Sequence, residues 1–412
     1  MTDTVAAPGE AGRRVSWIEL YFDLVFVFAV SQVAHVMVEH PDGRGVVAAL
    51  GLFVTLWWTW IGYVILYNRY GEDSAAQRLF MLAGTIPCAI AATQAHVVSD
   101  VHLGGLALAL AGARVVLAVA FPATSGQGHG AGRAAGLGYA VSAAIFAVSA
   151  VVPAPVNYVL WGVALAQEAG FLLLAQARQR RRSGDRTGRR RRPDRRELLA
   201  PPAEPGLAVN APHLAERFNL FMIILLGEIV ISVASAAVDA HGHEAGLRVG
   251  FLAGLVLAGA LWWIYFDSSA GINEFVLRAS GGNPAMAYGI YAGGHVPPAF
   301  GLLLIAAGVN LSLHDAPPTA ATWFVSAGLA AYMVGTRGFT LGVERRWYAR
   351  LLRTLVVVAT VCLALLHRVV SAPTVVVLVA VWAVAVAALV TVRGPVVMRH
   401  LREHPLRFFA DR

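Results

Sequence analysis

The chain has 412 residues, of which 58% are hydrophobic and only 14% are charged. A soluble protein of ordinary composition carries roughly 25% charged residues, so the composition excludes an ordinary soluble domain. The formal net charge of +8 comes from arginines that concentrate in the segments between apolar stretches, a distribution typical of multi-pass membrane proteins.

About twelve apolar segments are each long enough to cross a hydrocarbon core about 30 Å thick. Such a core offers the backbone no water, so a span must be a helix or a strand of a closed barrel. The segments lack the apolar–polar alternation of barrel strands. We therefore predict an all-α polytopic fold with helices at about 16–38, 46–68, 79–98, 101–121, 134–152, 156–177, 213–238, 249–270, 285–311, 320–343, 352–370 and 372–392.

The distribution of arginine predicts the orientation of these helices. When the N-terminus is placed inside, the inward segments hold nearly all arginines outside the spans, and the outward connections hold only Arg44 and Arg248. Arginine-rich connections normally face the cytoplasm. We therefore expect both termini to be cytoplasmic, which requires an even number of spans.

The chain divides into four parts by composition. We predict a first six-helix half (1–177), a cytoplasmic Arg/Pro-rich linker (178–212), a second six-helix half (213–393) and a cytoplasmic basic tail (394–412). The even number of helices gives both halves the same orientation, which predicts a parallel repeat about an axis along the membrane normal. A repeat of this kind commonly places a pathway between its halves.

Matching residues support the repeat because they recur in the same order in each half. Phe22-Asp23-Leu24 in the first half matches Phe218-Asn219-Leu220 in the second. The further matches are Gln32 with Glu228, Trp57-Trp58-Thr59-Trp60 with Trp262-Trp263-Ile264-Tyr265, Asn68 with Asn273, Pro87 with Pro297, and Gly112-Ala113-Arg114 with Gly335-Thr336-Arg337.

The linker is too polar and too rich in proline to pack a core. It is either a disordered inward anchor or a contact for anionic lipid head groups at the inner leaflet. No aromatic residues interleave with its arginines, so nucleic acid is not an expected partner. The arginines expected to contact head groups are Arg180, Arg181, Arg182, Arg189, Arg190, Arg191 and Arg192.

Ionisable residues within spans are candidate site residues, because a charge at bilayer depth costs about 2.5–3.5 kcal/mol on insertion scales. Glu19 and Asp23 share one face of the first helix. Glu19 also completes a capping box with Ser16, whereas Asp23 lies a turn deeper and needs an arginine. Asp23 is therefore either half of a structural ion pair or a pore group. The residues expected to form ion pairs are Glu19, Arg114, Glu216 and Arg337.

The candidates for a pathway or ligand site lie on three predicted helices. Glu228 leads them, since it falls near mid-membrane, where a carboxyl group is protonated or paired. His295 precedes Pro297-Pro298, and proline breaks a helix by removing an amide donor. The alternative for Glu228 is a structural hydrogen bond, and the alternative for His295 is a helix–helix contact. The full set is Asp23, Gln32, His35, Asn219, Glu228, Ser232 and His295.

Aromatic residues cluster in the second predicted helix at Trp57, Trp58, Trp60 and Tyr63. They lie too centrally for an interface belt alone, so they serve either helix packing or a hydrophobic constriction. The sequence contains no Walker A, GxSxG, HExxH or CxxC motif. We therefore predict no catalytic residue, no metal site and no cofactor.

Two strings resemble signatures of a known family. The segment from Glu19 to His35 (ELYFDLVFVFAVSQVAH) and the segment from Ala215 to Val230 (AERFNLFMIILLGEIV) resemble the two signatures of the bacterial low temperature requirement A (LtrA) family. Together with the Trp-rich second helix, the resemblance covers nearly the whole chain. It implies a bacterial cytoplasmic-membrane protein linked by name to growth in the cold, without an established chemistry.

We expect a channel or secondary transporter that moves a cation, a proton or a small solute between the two halves. The alternative is a membrane protein without transport activity, such as a lipid-linked sensor or an assembly factor in low-temperature adaptation. A membrane-embedded enzyme acting on a lipid would need a clustered nucleophile or metal set, which the sequence does not provide.

Overall fold

The structure is a computed structural model, and it describes residues 14–71, 74–94, 103–125, 129–184, 202, 208–239, 244–336 and 346–403. For residues 171–184 it describes the backbone alone. These parts of the chain are 88% helical and contain no strand. The prediction of an all-α fold is therefore confirmed.

Six helices lie in the region that the sequence analysis predicts as the first half. Ser16 begins the first of them, since its backbone N–H and its hydroxyl both donate to the Glu19 carboxylate. Asp42 begins the second by accepting a bond of 2.8 Å from the Gly45 N–H. The helices are α1 (Trp17–Glu39), α2 (Gly43–Tyr70), α3 (Ala75–Thr93), α4 (Gly104–Thr124), α5 (His129–Ser149) and α6 (Val156–Gly184).

The helices of the second half are less regular. Two of these helices contain π-helical turns. The second of the two helices also contains Pro297 and Pro298, which have no backbone N–H to donate. They are α7 (Ala211–Asp239), α8 (Glu244–Ile264, a π turn Tyr265–Ser269, then Ala270–Ala279), α9 (Pro284–Ala287, a π turn Tyr288–Gly293, then Val296–Ser312), α10 (Ala320–Thr336), α11 (Arg346–Cys362, then a 3₁₀ turn Leu363–Arg368) and α12 (Ala372–Glu403).

Nine helices among the described residues are long and apolar enough to cross a membrane. α10, with 17 residues, is a shorter apolar helix. The chain is accordingly a multi-pass helical membrane protein.

Several helices run past the ends that the hydropathy pattern predicts. α6 continues to Gly184 and α12 to Glu403, because a polar sequence can prolong a helix after the apolar run ends. The extension of α12 is held by packing: Val397 and Leu401 form a small cluster with Ile272 and Val276 of α8.

The centre of the protein lies where helices of the two halves meet. In the first half α1 packs on α2 and α3, and in the second half α7 packs on α8 and α9. Between the halves, α1 contacts α7 and α9, and α2 contacts α7 and α9. These helices position every group of the candidate site.

An aromatic cluster, defined here as Trp57, Trp60, Phe218 and Phe221, fills the contact between α2 and α7. The ring centroids of Trp60 and Phe221 are 4.2 Å apart, and those of Trp57 and Trp60 are 5.3 Å apart. Trp57 also donates an indole hydrogen bond of 2.8 Å to the carbonyl of Ala292 in α9. Each member is almost completely buried, so the two halves are closed against each other here.

Candidate functional site between the two halves

Arg217 of α7 joins the two halves by pairing with both acids of α1. Its Nη1 atom lies 2.9 Å from Oε2 of Glu19, and Nη2 lies 2.9 Å from Oδ1 of Asp23. Nε also donates to Oδ2 of Asp23 at 3.2 Å. The guanidinium thus binds Asp23 in the two-pronged geometry of the strongest ion pairs, and all three side chains are fully buried.

Sequence reasoning expected Asp23 to pair with an arginine, but it did not select Arg217. The spacing within α1 places Glu19 and Asp23 on one face without telling which helix covers that face. Arg217 is 194 residues away from Asp23 along the chain. Its position one residue before the Phe218-Asn219 match with Phe22-Asp23 was a usable signal.

Two further side chains bind the same carboxylates. Trp60 donates from its indole nitrogen to Oδ1 of Asp23 at 2.7 Å. His213 lies with Nε2 3.2 Å from the Glu19 carboxylate. Tryptophan can only donate, so its bond requires an acceptor at Asp23.

Asn68 determines the tautomer of His213. Its amide binds the backbone of Asn210 twice, accepting from N–H and donating to C=O, both at 2.9 Å. The remaining amide hydrogen therefore points to Nδ1 of His213 at 3.2 Å, which assigns the imidazole proton to Nε2 and makes it a donor to Glu19. The segment before α7 is thereby tied to the end of α2.

Arg114, a second expected ion-pair residue, forms its pair inside the first half. Nε lies 2.7 Å from Oε1 of Glu168, and Ser142 also hydrogen-bonds this carboxylate. Nη1 donates to Thr59 at 3.0 Å, and the guanidinium lies 4.2 Å above the Phe146 ring. This network lies among α2, α4, α5 and α6.

The two other residues expected to form ion pairs have different outcomes. Glu216 is exposed on α7, and its carboxylate accepts a hydrogen bond of 3.2 Å from the backbone of Val15. Arg337 lies outside the described residues.

Glu228 lies on the face of α7 that begins with Arg217, because eleven residues make about three turns. Its side chain is buried, and the residue is 5% exposed. Within the described parts of the chain, no residue donates a hydrogen bond to its carboxyl group. Ser232, one turn further, is also buried, and its carbonyl accepts from Asn310 of α9 at 3.4 Å.

The structure separates the candidates on α1. Asp23 is completely buried, and Gln32 is half-buried with a contact of 3.5 Å to Ser31. His35 is exposed on the outer surface, since the face of α1 that packs inward there carries Val33, Val36 and Met37. His35 therefore does not face α7.

Asn219 and His295 are brought together by Tyr265 of α8, which sequence reasoning did not select as a site residue. The Tyr265 hydroxyl lies 3.2 Å from Oδ1 of Asn219 and 2.8 Å from Nε2 of His295. Nδ1 of His295 lies 3.0 Å from the carbonyl of Ile290. The match of Tyr265 with Trp60 in the repeat could have indicated it.

Most residues of the expected lipid contact lie beyond what the structure describes. Arg180, Arg181 and Arg182 belong to the last turns of α6, where the backbone alone is described, and Arg189, Arg190, Arg191 and Arg192 fall outside the described ranges. The described residues contain no group of three or more His, Cys, Asp or Glu side chains arranged to hold a metal ion.

Comparison with known proteins identifies the family. The family model of the bacterial low temperature requirement A protein (LtrA) matches residues 14–390. The chain is also 25% identical over 315 residues to the uncharacterized protein RA0937 of Rhizobium meliloti, a match that covers 73% of this chain and 70% of that protein. The protein therefore belongs to the LtrA family.

Proposed function

We propose that this protein is a channel or secondary transporter that moves a cation, a proton or a small solute between its two halves. In this proposal twelve spans form two parallel six-helix halves, with both termini on the cytoplasmic side of the bacterial cytoplasmic membrane. One observation carries it: the buried Arg217–Glu19–Asp23 network joins the halves at the start of the α7 face that continues to Glu228.

The position of the network supports a pathway more than a purely structural role. Burying an ion pair costs desolvation energy that apolar packing would avoid. A buried ion pair can also lie inside one half, as the pair of Arg114 and Glu168 does. A charged network between the two halves is different, because water can solvate its charged groups again when the halves separate.

Two paired contacts support the repeat. Trp60 of α2 donates to Asp23 of α1, and Tyr265 of α8 makes the corresponding bond to Asn219 of α7. Each pair joins the first and second helices of its half at positions that match in sequence.

The third and fourth helices of each half also meet in the same way. A Cβ atom added to Gly112 would lie 3.3 Å from Cβ of Pro87, and one added to Gly335 would lie 2.2 Å from Cδ of Pro298. These glycines permit close approach of a proline-containing helix. The counterpart of Pro87 by contact is therefore Pro298 rather than the Pro297 that sequence matching selected.

The aromatic cluster would form the closed gate of the pathway. It lies along α7 between Arg217 and Glu228, and its fully buried rings leave no room for an ion to pass. Hydrophobic constrictions of this type gate by excluding water. Opening would require Trp60 to leave Asp23 or Trp57 to leave the Ala292 carbonyl.

Membrane lipids are the expected partners on the inner side, in particular anionic lipids bound by the arginines of the linker. α6 has 29 residues, which at a rise of 1.5 Å per residue make a helix about 43 Å long. That length exceeds a hydrocarbon core of about 30 Å. The excess supports a helix that carries Arg180, Arg181 and Arg182 into the head-group layer.

A second candidate, a membrane protein without transport activity, also rests on the aromatic cluster. In that candidate the closely filled contact is a permanent interior and never opens. Such a protein would serve as a lipid-linked sensor or an assembly factor in low-temperature adaptation. Flux measurements separate the two candidates.

The test is flux through purified protein in liposomes, with a panel of alkali cations, protons and small solutes. The proposal expects selective flux that Glu228→Gln abolishes, because this substitution removes an ionisable group while keeping its shape. Glu403→Gln, at an exposed carboxylate, is the matched control and should leave flux unchanged. Folded protein with no flux for any solute in the panel would favour the candidate without transport.

A further inference from the structure

Tyr265 and His295 form a hydrogen-bonded pair that the π turns of the second half create. The π turn of α9 makes the Gly294 N–H bond to the Gly289 carbonyl, five residues back. His295 closes this irregular turn by placing Nδ1 3.0 Å from the carbonyl of Ile290. A carbonyl can only accept, so Nδ1 carries a proton. π turns occur frequently at functional sites.

In the neutral state Nε2 of His295 is therefore an acceptor. The Tyr265 hydroxyl at 2.8 Å donates to it. The Asn219 amide, 3.2 Å from the same hydroxyl, offers both an acceptor and a donor by rotation. In this state the amide is turned so that its NH2 group donates to the Tyr265 oxygen, the reverse of the orientation in which Oδ1 accepts from the Tyr265 hydroxyl.

The same atoms also satisfy the protonated state. When Nε2 carries a proton, it donates to the Tyr265 oxygen, and the Tyr265 O–H turns to Oδ1 of Asn219. Nδ1 continues to donate to Ile290. Both N–H groups of the imidazolium then have acceptors already in place, and the change requires only rotation of one hydroxyl and one amide.

We infer that His295, with Tyr265 and Asn219, is a proton-binding site of the pathway, so that a proton is the species moved or the coupling ion. This inference rests on the proposed transport function and names its ion. The proton arrives on a hydronium, binds the Tyr265 oxygen as the Tyr265 hydroxyl proton passes to Nε2, and leaves a water molecule behind. Release reverses these steps.

The surroundings supply stabilisation for a charged imidazole and a place for water. The Tyr291 ring stacks on His295 at 5.3 Å between centroids and 11° between planes, and the Phe218 ring lies at 5.0 Å. A cation over an aromatic face is attracted by the negative charge on the face of the ring. Stacking therefore offsets part of the desolvation cost of the charged imidazole without a carboxylate.

The Tyr291 hydroxyl is buried and has no hydrogen-bond partner within the described parts of the chain. A buried hydroxyl without a hydrogen-bond partner is unfavourable unless water reaches it, so this atom marks a water position beside the site. The charged groups that act on it are Glu274 and Arg278 of α8. They pair at 2.6 Å and are partly exposed, with 31% and 58% of their side chains accessible.

The experiment combines flux with direct detection of the proton. Proton flux is measured in proteoliposomes with a pH-sensitive dye, and histidine-labelled protein in lipid is titrated by ¹⁵N NMR, with the His295 signal assigned by its loss in His295→Gln. Tyr265→Phe should lower proton flux by about a hundredfold, the usual contribution of a positioned proton donor. Tyr332→Phe is the control, since that buried hydroxyl donates to the Leu261 carbonyl at 2.7 Å and takes no part in the Tyr265–His295 hydrogen bond.

Proton flux that falls in Tyr265→Phe and His295→Gln but not in Tyr332→Phe, with a His295 signal that gains one proton, supports the inference. Flux of another cation with His295 neutral at every pH would overturn the inference and leave the proposed pathway standing. Absence of flux for every solute would overturn both. Retention of wild-type proton flux in both His295→Gln and Tyr265→Phe would overturn the inference alone.

Discussion

Arg114 and Arg217 are both completely buried, yet they occupy different kinds of site. Arg114 pairs with one acid, Glu168, inside the first half. Arg217 pairs with two acids, Glu19 and Asp23, across the contact between halves. The comparison shows that a buried ion pair can lie within one predicted half or can join the two predicted halves, and that the location of the partner distinguishes the two cases.

The largest effect is expected from Arg217→Met. It leaves two carboxylates buried without their guanidinium, and breaking a buried pair by removing one partner costs about 3–5 kcal/mol. We expect a sharp loss of folded protein, measured as monodisperse yield and thermal stability in detergent.

The combination of Arg217→Met with Glu19→Gln and Asp23→Asn should restore folding but not flux. The triple variant removes the buried charges together, so the desolvation penalty disappears along with the pair. Flux at the wild-type level in a folded triple variant would contradict a pathway role for the network.

A similar cost of about 3 kcal/mol or somewhat more is expected for Arg114→Met, which strands the Glu168 carboxylate. Here the double variant with Glu168→Gln should recover both folding and flux, because this network stays inside one half. The measurement is thermal stability together with flux in liposomes. Lost flux in a stable double variant would remove the distinction between the two arginines.

A smaller effect is expected from Trp60→Phe. This change removes the indole donor to Asp23 and keeps an aromatic ring, and a hydrogen bond to a charged group is worth about 1.5–3 kcal/mol. A double-mutant cycle with Asp23→Asn measures the coupling. Coupling energy near zero would show that Trp60 does not hold Asp23 in the closed state.

The site could be predicted only in part from the sequence. Asp23 and Glu228 could be selected from the sequence because each is a carboxylic acid within an apolar span, and both are buried in the structure. His35 looked equivalent by spacing, but it is exposed because neighbouring apolar residues form the packed face of α1 there. Tyr265 was not predicted as a site residue, since a tyrosine in a membrane span is common. Only the structure shows that a histidine nitrogen lies 2.8 Å from its hydroxyl.

The sequence by itself determined that this chain is an all-helical membrane protein of the LtrA family. Hydropathy acts locally and needs no knowledge of neighbours, so a run of apolar residues specifies a span wherever it packs. Only the tertiary structure decided which acids the buried arginines pair with: Arg217 pairs with Asp23, and Arg114 pairs with Glu168. It also decided that Pro298, rather than Pro297, contacts Gly335. Such pairings depend on which helix faces pack against each other. An interaction between residues 194 positions apart produces no periodic pattern in the sequence from which it could be predicted.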